Sequence, residues 1–532
     1  MPLFSLLLAG GLALGVFAHT AYRFTGGQGG VPLDDAWIHF QFARNLARGD
    51  GLSFNPGQPT SGSTAPLWTL LLAGVYLVGG RFPVAGQLLS AVCFLAALAA
   101  TYALGKHLTG NRWAAWLSGA VVATNGRFVW AGLSALETCL FATLSLLAIS
   151  AYLGSQHWPE RARAGSKISP APPVYGSAHR YRLRTAALFG LAALVRPEGY
   201  LLFALALADF VVRVGESASR RVGESASRRM GGWRRVPLVP VILFAAIVLP
   251  YLVFSLHTSG HFLPNTYHAK AVFDFRPDLV FLSGAAQYLI WDNLFLLPFY
   301  VLGLGILLRP ASLPSLWSVG LPLVYAFLHT GLYQHGRYLI PLIPCNAAIG
   351  IAGLLEAQRM AARRGWRWRA GETRFFRKNL VSVLVSLLVV AGTAWHLPAM
   401  ASKYTWNVDN INQMHVALGH WVVENTPPDA VLALNDIGAI TYISERQIVD
   451  LAGLVTPEIV PLLRTSDRAS QLADFMAERG VQYVIIFPNW FPDLVARRDL
   501  LEPVHQVTLE HNTICGGETM VVYCAHWRKT GW

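Results

Sequence analysis

Two adjacent carboxylates, Asp34 and Asp35, stand in the most polar stretch near the start of the chain. They follow a first apolar segment and precede a helical pattern at 36–48 that ends in a Gly-Asp-Gly sequence. A positioned carboxylate can take a proton from an attacking hydroxyl group, typically worth about 10²- to 10⁴-fold in rate. Aspartate is also a favoured helix cap, so the pair could do no more than begin the helix.

The pattern at 36–48 places apolar residues on one face and polar residues on the other, as in a helix that lies along a bilayer. The apolar face carries Ile38, Phe40, Phe42 and Leu46, and the polar face carries His39, Gln41, Arg44 and Asn45. His39 and Arg44 are candidates for contact with a substrate. A solvated helix face explains both residues equally well.

The stretch from Asp34 to Trp68, DDAWIHFQFARNLARGDGLSFNPGQPTSGSTAPLW, resembles the first extracytoplasmic loop of polytopic glycosyltransferases of the C type, the GT-C superfamily. The likeness is to bacterial arabinofuranosyltransferase-like and mannosyltransferase-like proteins that use polyprenyl-phosphate sugars. An acidic residue of this loop is the catalytic base in that superfamily. The resemblance therefore implies that Asp34 is the base and that Asp35 is its partner or substitute.

A second acidic position follows in the sequence Gly132-Leu-Ser-Ala-Leu-Glu137-Thr138, which leads into an apolar segment. It is similar to a Gly-x-Glu-Thr pattern of the related proteins, with a longer spacing between the glycine and the glutamate. The resemblance implies that Glu137 binds the acceptor sugar or the donor. The alternative is a glutamate that only interacts with the dipole of the following helix.

Two basic residues are candidates to bind a phosphate, and arginine suits this task because its planar fork gives bidentate hydrogen bonds. Arg337 follows His335 in the sequence Gln-His-Gly-Arg-Tyr, and Lys270 ends the sequence Leu-Pro-Asn-Thr-Tyr-His-Ala-Lys, which contains Asn265 and Tyr267. Both stretches resemble motifs of the same family. Alternatively, Arg337 snorkels at the end of a span, Lys270 lies in an ordinary interfacial loop, and Asn265 and Tyr267 only shape a turn.

Arg196 and Glu198 interrupt an apolar segment, where charged residues are costly and are usually paired or functional. Both flanks of 185–212 are basic, yet two full spans of about 20 residues each cannot fit between them. We therefore predict a short helical hairpin with its Arg-Pro-Glu-Gly turn buried among other helices. A structural ion pair at this turn is favoured over contact with a substrate.

The composition is that of a membrane protein, because 54% of the residues are hydrophobic, only 13% are charged and the mean hydropathy is +0.41. The net charge of +13 is uneven: residues 404–532 hold 8 basic and 15 acidic residues, whereas the first 403 residues are strongly basic. This division argues against nucleic-acid binding. It favours cytoplasmic basic loops in a multi-pass protein of the plasma (inner) membrane.

Three basic clusters, within 161–184, 213–235 and 359–378, are predicted to be cytoplasmic. The intervening apolar runs at 237–256, 286–308, 314–332, 338–355 and 379–397 then cross the membrane in alternating directions, which places the tail outside. Nearer the start, one of the runs 65–80, 83–104 and 113–131 must be a partial span. We favour 65–80.

Residues 1–400 are therefore predicted to form a GT-C transmembrane domain, with a first external loop at 20–64, and 401–532 an extracytoplasmic α/β domain. In this tail, strands are predicted at 430–434, 447–451 and 481–487, and helices at 410–425 and 468–479. The second external loop has no carboxylate-x-carboxylate motif. We therefore expect neither a cofactor nor a divalent metal.

Taken together, the resemblance implies an inverting membrane glycosyltransferase. It would move a sugar from a polyprenyl-phosphate donor to an acceptor hydroxyl on a glycan, lipid or protein of the cell envelope. One rival is a transporter of lipid-linked glycans, which would predict paired internal repeats that the sequence does not show. Another is a non-catalytic assembly subunit.

Overall fold

A computed structural model describes residues 2–156, 175–221, 238–270, 273–308, 311–363 and 374–527. Part of each of the three predicted basic clusters lies outside these residues. The N-terminal part is helical, and its helices are α1 (Pro2–Phe24), α2 (Asp35–Arg48), α3 (Pro66–Leu77), α4 (Val84–Thr109), α5 (Arg112–Ala123), α6 (Gly126–Gly132), α7 (Thr138–Gln156), α8 (Tyr175–Val195), α9 (Glu198–Arg221), α10 (Leu238–Ser259), α11 (Asn265–Lys270), α12 (Leu279–Asn293), α13 (Leu297–Leu307), α14 (Ser312–Phe327), α15 (Tyr333–Gly336), α16 (Ile343–Arg363) and α17 (Arg374–Ala394).

Six helical segments in the described part of the chain are long and apolar enough to cross a membrane. They are Pro2–Phe24, Val84–Thr109, Thr138–Ser155, Leu238–Ser259, Tyr333–Ala361 and Val383–Asn425. The protein is therefore a multi-pass membrane protein, as its composition predicted.

The run 286–308, expected to be one span, forms two helices, α12 and α13, whose axes differ by 112°. Asn293 causes the bend: its amide oxygen accepts a hydrogen bond from the Leu296 backbone at 2.9 Å, and its amide nitrogen donates to the Val389 carbonyl at 2.7 Å. Pro298, in the first turn of α13, lacks an N–H to continue the earlier helix.

Two of the three runs near the N-terminus are shorter than a span. α3 has 12 residues, which extend only about 18 Å at 1.5 Å per residue. The run 113–131 is divided at Asn125, whose side chain accepts the backbone N–H of Phe128 at 3.0 Å and so begins α6. The run 65–80, which we favoured as the partial span, thus forms a helix too short to cross the membrane. The run 113–131 is also divided into two short helices.

The helical hairpin predicted from the Arg-Pro-Glu-Gly sequence is present as α8 and α9, but these helices have 21 and 24 residues and extend beyond the predicted 185–212. Arg196 at its turn is buried, with 7% of its surface exposed. Gly199 lies so close to the backbone of Ala193 that any side chain there would collide with it. The glycine therefore allows the two helices to meet in a tight turn.

The position expected for α2 on a membrane surface is wrong, because both faces of the helix are buried. Phe40 and Phe42 are inaccessible to solvent, and all four polar residues expected to meet water are buried, namely His39, Gln41, Arg44 and Asn45. Gln41 and Asn45 donate hydrogen bonds to the Phe54 carbonyl at 2.9 and 2.8 Å. These polar side chains therefore form their hydrogen bonds with protein groups and not with water.

The tail is a small α/β structure. Helix α18 (Leu397–Ile411) continues through a π-helical turn (Asn412–Val416) into α19 (Ala417–Asn425), so the predicted helix at 410–425 begins earlier than expected. The remaining elements are β1 (Val431–Leu434), α20 (Gly438–Ser444), β2 (Gln447–Asp450), α21 (Ile459–Leu462), α22 (Arg468–Glu478), β3 (Val481–Ile486), α23 (Pro492–Val495), β4 (Leu501–Thr508) and β5 (Thr519–Ala525).

The five strands form one sheet in the order β2-β1-β3-β5-β4. The three predicted strands, β1 to β3, pair in parallel, whereas the two unpredicted ones, β4 and β5, pair antiparallel at one side. The first loop packs into this tail: Phe42 and Phe54 belong to the same buried cluster as the strand residues Leu432 and Ile485. Asn55 exchanges two hydrogen bonds with the backbone of Ile448. The loop thereby joins the helical part to the sheet.

Candidate active site

A cavity of about 350 Å³ opens between the start of α2, the start of α7, the α8–α9 turn, α11, α14 and the segment after α15. One part of its wall is apolar and consists of Leu136, Leu201, Leu263, Leu321, Val324 and Leu328. The other part carries Asp35, His39, Glu137, Arg196, Glu198 and Arg337. Such a cavity suits a molecule with an apolar chain at one end and a charged, hydrogen-bonding group at the other.

Asp35 and Arg337 form a bidentate ion pair in this cavity. The Arg337 guanidinium lies 3.1 Å from Oδ2 and 3.2 Å from Oδ1 of Asp35. Asp35 is the first residue of α2, and Arg337 follows Gln334, His335 and Gly336, which all have positive φ angles of 51°, 63° and 64°. This run of left-handed backbone is costly for non-glycine residues, and strain of this kind is typical of functional sites.

A second charged group surrounds Arg196 at the hairpin turn. Its guanidinium lies 3.0 Å from Glu137 and 2.8 Å from Glu198, and His39 Nε2 lies 3.4 Å from the other oxygen of Glu137. The Tyr325 hydroxyl also donates a hydrogen bond to Glu198. The buried charges are therefore paired, which buried ionic groups require.

The ring of Tyr338 lies against both guanidinium groups. The ring centroid is 5.4 Å from the central carbon of Arg196 and 5.2 Å from that of Arg337. The tyrosine thus connects the two charged groups across the cavity. Two arginines in one cavity are well suited to hold an anion such as a phosphate.

Although burial opposes ionisation of Glu137, the contact with His39 and the charge of Arg196 lower the pKa of Glu137 to about 2. Because this pKa is below the ordinary value of 4.5, the ionised carboxylate adds stability above pH 4.5, and that stability is lost as the pH falls toward 2. We expect Glu137→Gln to lower the free energy of unfolding at pH 7 by at most about 3 kcal/mol.

This difference should shrink between pH 4.5 and pH 3, as measured by thermal unfolding in detergent. Glu458→Gln is a control, because Glu458 forms an exposed pair with Arg479 that contributes little. A difference that stays constant with pH would show that the stability of this cluster does not depend on the charge of Glu137.

Asp34 points away from the cavity into the tail. Its Oδ2 accepts the backbone N–H of Gly438 and its Oδ1 that of Ala439, both at 2.7 Å. It stands at the N-cap position of α2 but does not cap that helix; it caps α20 instead. Burial and the nearby charge of Asp436 raise the pKa of Asp34 to about 6, although His415 and the two backbone hydrogen bonds oppose the shift. Asp34, the residue favoured as base, therefore does not line the cavity.

Of the other predicted site residues, His39, Glu137 and Tyr267 line the cavity with Asp35 and Arg337. Asn265 is buried beside it, and neither its amide oxygen nor its nitrogen has a hydrogen-bond partner in the described part of the chain. The side chain of Lys270 lies outside the described residues.

Two predicted site residues lie elsewhere. Arg44 donates to the Tyr442 carbonyl at 2.8 Å and pairs with Glu445, so it joins α2 to the tail. His335 lines a different cavity and lies 2.9 Å from the side-chain oxygen of Asn407. Neither is placed to contact a molecule bound beside Asp35.

The site also contains residues that were not assigned to it from the sequence. Arg196 and Glu198 were assigned to a structural pair, and the structure places that pair on the cavity wall together with Tyr325 and Tyr338. The signal for the pair was present, since charges inside an apolar segment are rarely without function. Tyr338 ends the Gln-His-Gly-Arg-Tyr motif but was given no role, and no sequence pattern singled out Tyr325.

The described residues contain no group of three or more His, Cys, Asp or Glu side chains arranged to hold a metal ion. The three cavity carboxylates, Asp35, Glu137 and Glu198, are each paired with an arginine. The expectation that no metal is needed stays a prediction.

The arrangement of helices, first loop and α/β tail is the fold of the GT-C membrane glycosyltransferases. The chain is similar to ArnT from Cupriavidus metallidurans, solved bound to undecaprenyl phosphate, with a TM-score of 0.59, 14% identity and 97% of each chain covered. It is also similar to the oligosaccharyltransferase AglB from Archaeoglobus fulgidus, solved with an inhibitory peptide and a dolichol-phosphate, with a TM-score of 0.57, 13% identity, and 90% of this chain and 69% of that one covered. The predicted fold class is confirmed.

In sequence, the chain is 26% identical over 380 residues to the terminal beta-(1->2)-arabinofuranosyltransferase of Mycobacterium tuberculosis. The match covers 64% of this chain and 55% of that protein, so it spans about half the length of this relative. The resemblance to arabinofuranosyltransferase-like GT-C proteins is thereby confirmed. Residues 406–529 match a family described as a domain of unknown function, DUF8728.

Proposed function

We propose that this protein is an inverting membrane glycosyltransferase that transfers a sugar from a polyprenyl-phosphate donor to an acceptor hydroxyl of the cell envelope. The observation that carries the proposal is the bidentate Asp35–Arg337 pair in a cavity with one apolar and one charged wall. Relatives with the same fold were solved with undecaprenyl phosphate or dolichol-phosphate. The plasma membrane and an extracytoplasmic tail belong to the same proposal.

Asp35 is the proposed base. Its carboxylate takes the proton of the acceptor hydroxyl as the hydroxyl oxygen attacks the anomeric carbon of the donor sugar. The bond between the anomeric carbon and the phosphate oxygen breaks on the opposite face, so the configuration at that carbon inverts. Asp34 is less suited to this role, because both of its carboxylate oxygens accept buried backbone N–H groups.

Arg337 and Arg196 are the proposed phosphate ligands. The leaving polyprenyl phosphate gains negative charge as the glycosidic bond breaks, and a guanidinium in a cavity shielded from water stabilises that charge. In the structure each arginine is paired with a carboxylate, so a bound phosphate would share or replace these partners. The apolar wall of the cavity, which includes Leu263 and Leu328, would hold the first isoprene units of the lipid.

The test is transfer by the purified protein in liposomes. It would be supplied in turn with polyprenyl-phosphate arabinofuranose and polyprenyl-phosphate mannose and with envelope glycan acceptors. We expect release of polyprenyl phosphate and a product of inverted configuration with one donor. In cells that lack the protein, mass spectrometry should show accumulation of the same donor. Movement of intact lipid-linked sugar across the liposome membrane, without transfer of the sugar to an acceptor, would overturn the proposal in favour of a transporter.

A further inference from the structure

Asp34 belongs to the same loop as the proposed base but contacts the tail. Its two oxygens are held at 2.7 Å by consecutive backbone N–H groups of Gly438 and Ala439, 404 and 405 residues away in the sequence. Its carbonyl oxygen accepts the first hydrogen bond of α2, from Trp37 at 2.9 Å. One residue therefore anchors the beginning of α2 to the tail, and the next residue along the chain is Asp35.

The tail is shaped to receive this carboxylate. A Cβ atom at Gly438 would lie 2.6 Å from both carboxylate oxygens of Asp34 and would also collide with its carbonyl oxygen. Only glycine allows this approach without displacement of the loop. The beginning of α20 also presents the two N–H groups that its own helix cannot pair.

A buried histidine completes the arrangement. His415 is fully buried, its Nε2 lies 3.0 Å from Asp436 Oδ2, and it interacts electrostatically with Asp34. It lies in the π-helical turn between α18 and α19, a type of helix irregularity that is frequent at functional sites. The turn thus brings a polar group of the tail to the loop that carries the base.

We propose that the tail, which coincides with the domain of unknown function at 406–529, positions the catalytic carboxylate through the contact of Asp34 with Gly438 and Ala439. This inference rests on the proposed function. Asp34 is then a positioning residue: it touches no substrate, and it fixes the start of α2 so that Asp35 faces Arg337. A displacement of about 1 Å at a reacting group can reduce a rate about 100-fold.

The test changes each partner of the contact, Asp34 and Gly438, in the full-length protein. Asp34→Asn retains one acceptor oxygen and should lower kcat about 10-fold, and Asp34→Ala should lower it about 100-fold. Gly438→Ala should also lower kcat about 10-fold, although it lies in the tail. The KM for the donor should stay unchanged in all three variants, because Arg337 and Arg196 are untouched. The double variant Asp34→Asn/Gly438→Ala should be no slower than the slower single variant, since both remove one interaction.

Two controls separate positioning from general loss of structure. Asp278→Asn removes a comparable helix-capping carboxylate from α12, and Gly74→Ala adds a methyl group to α3 where nothing lies within 4 Å. Both should retain the kcat of the natural protein. Normal kcat in Asp34→Ala or in Gly438→Ala would overturn the inference. So would a rise in the donor KM, or fully additive effects in the double variant.

The failure of this inference is distinguishable from failure of the proposed function. If Asp35→Asn is inactive while Asp34→Ala and Gly438→Ala turn over normally, the transferase proposal stands and the positioning role is wrong. If Asp35→Asn is fully active, the proposed function itself is wrong.

Discussion

Replacement of Asp35 by asparagine should lower the kcat of sugar transfer about 10²- to 10⁴-fold, the usual contribution of a positioned general base. Asparagine has nearly the same shape as aspartate but cannot accept the proton of the acceptor hydroxyl. The phosphate ligands are unchanged, so the donor should bind with the same affinity within a few-fold. Single-turnover transfer assays and donor binding by calorimetry in detergent would measure the two quantities separately.

Asp50→Asn is the matched control, because Asp50 lies in the same loop, after α2, and does not line the cavity. It should retain full activity. If Asp35→Asn kept its turnover, the base would have to be another group. A transporter or an assembly subunit would retain its function in the Asp35→Asn variant, so this result would favour one of those two rivals.

Replacement of Arg337 should mainly weaken donor binding. A hydrogen bond to a charged group contributes about 1.5–3 kcal/mol, and glutamine can still donate one of the two hydrogen bonds of the fork, so Arg337→Gln should raise the donor Kd about 10- to 150-fold. Arg337→Lys keeps the charge but not the planar bidentate geometry, so its effect should be smaller. The Kd of polyprenyl phosphate, which lacks the sugar, would measure the phosphate contact directly.

Arg48→Lys is the control for these variants. Arg48 also pairs with a carboxylate, Glu445, but its side chain is 45% exposed and far from the cavity lining. It should not change the donor Kd. Equal donor affinity in Arg337→Gln and the natural protein would exclude Arg337 as a phosphate ligand.

Local sequence patterns were sufficient for the class of protein. Long apolar runs predicted the membrane helices, and alternating β-branched runs predicted β1, β2 and β3 to within one residue at their ends. The polar motif around Asp35 and the Gln-His-Gly-Arg-Tyr motif of Arg337 were both identified, and the structure pairs these two residues. These signals are local, because periodicity and turn residues act over a few positions.

The sequence by itself thus determined a polytopic protein with an α/β tail and a carboxylate pair near its start. Only the tertiary structure decided which carboxylate faces the cavity. Consecutive residues at the start of a helix point about 100° apart, so Asp34 and Asp35 had to face different neighbours, and those neighbours come from distant parts of the chain. Gly438 donates a hydrogen bond to Asp34 and Arg337 donates one to Asp35, across sequence separations of 404 and 302 residues. No local pattern contains such contacts, because folding alone brings these segments together.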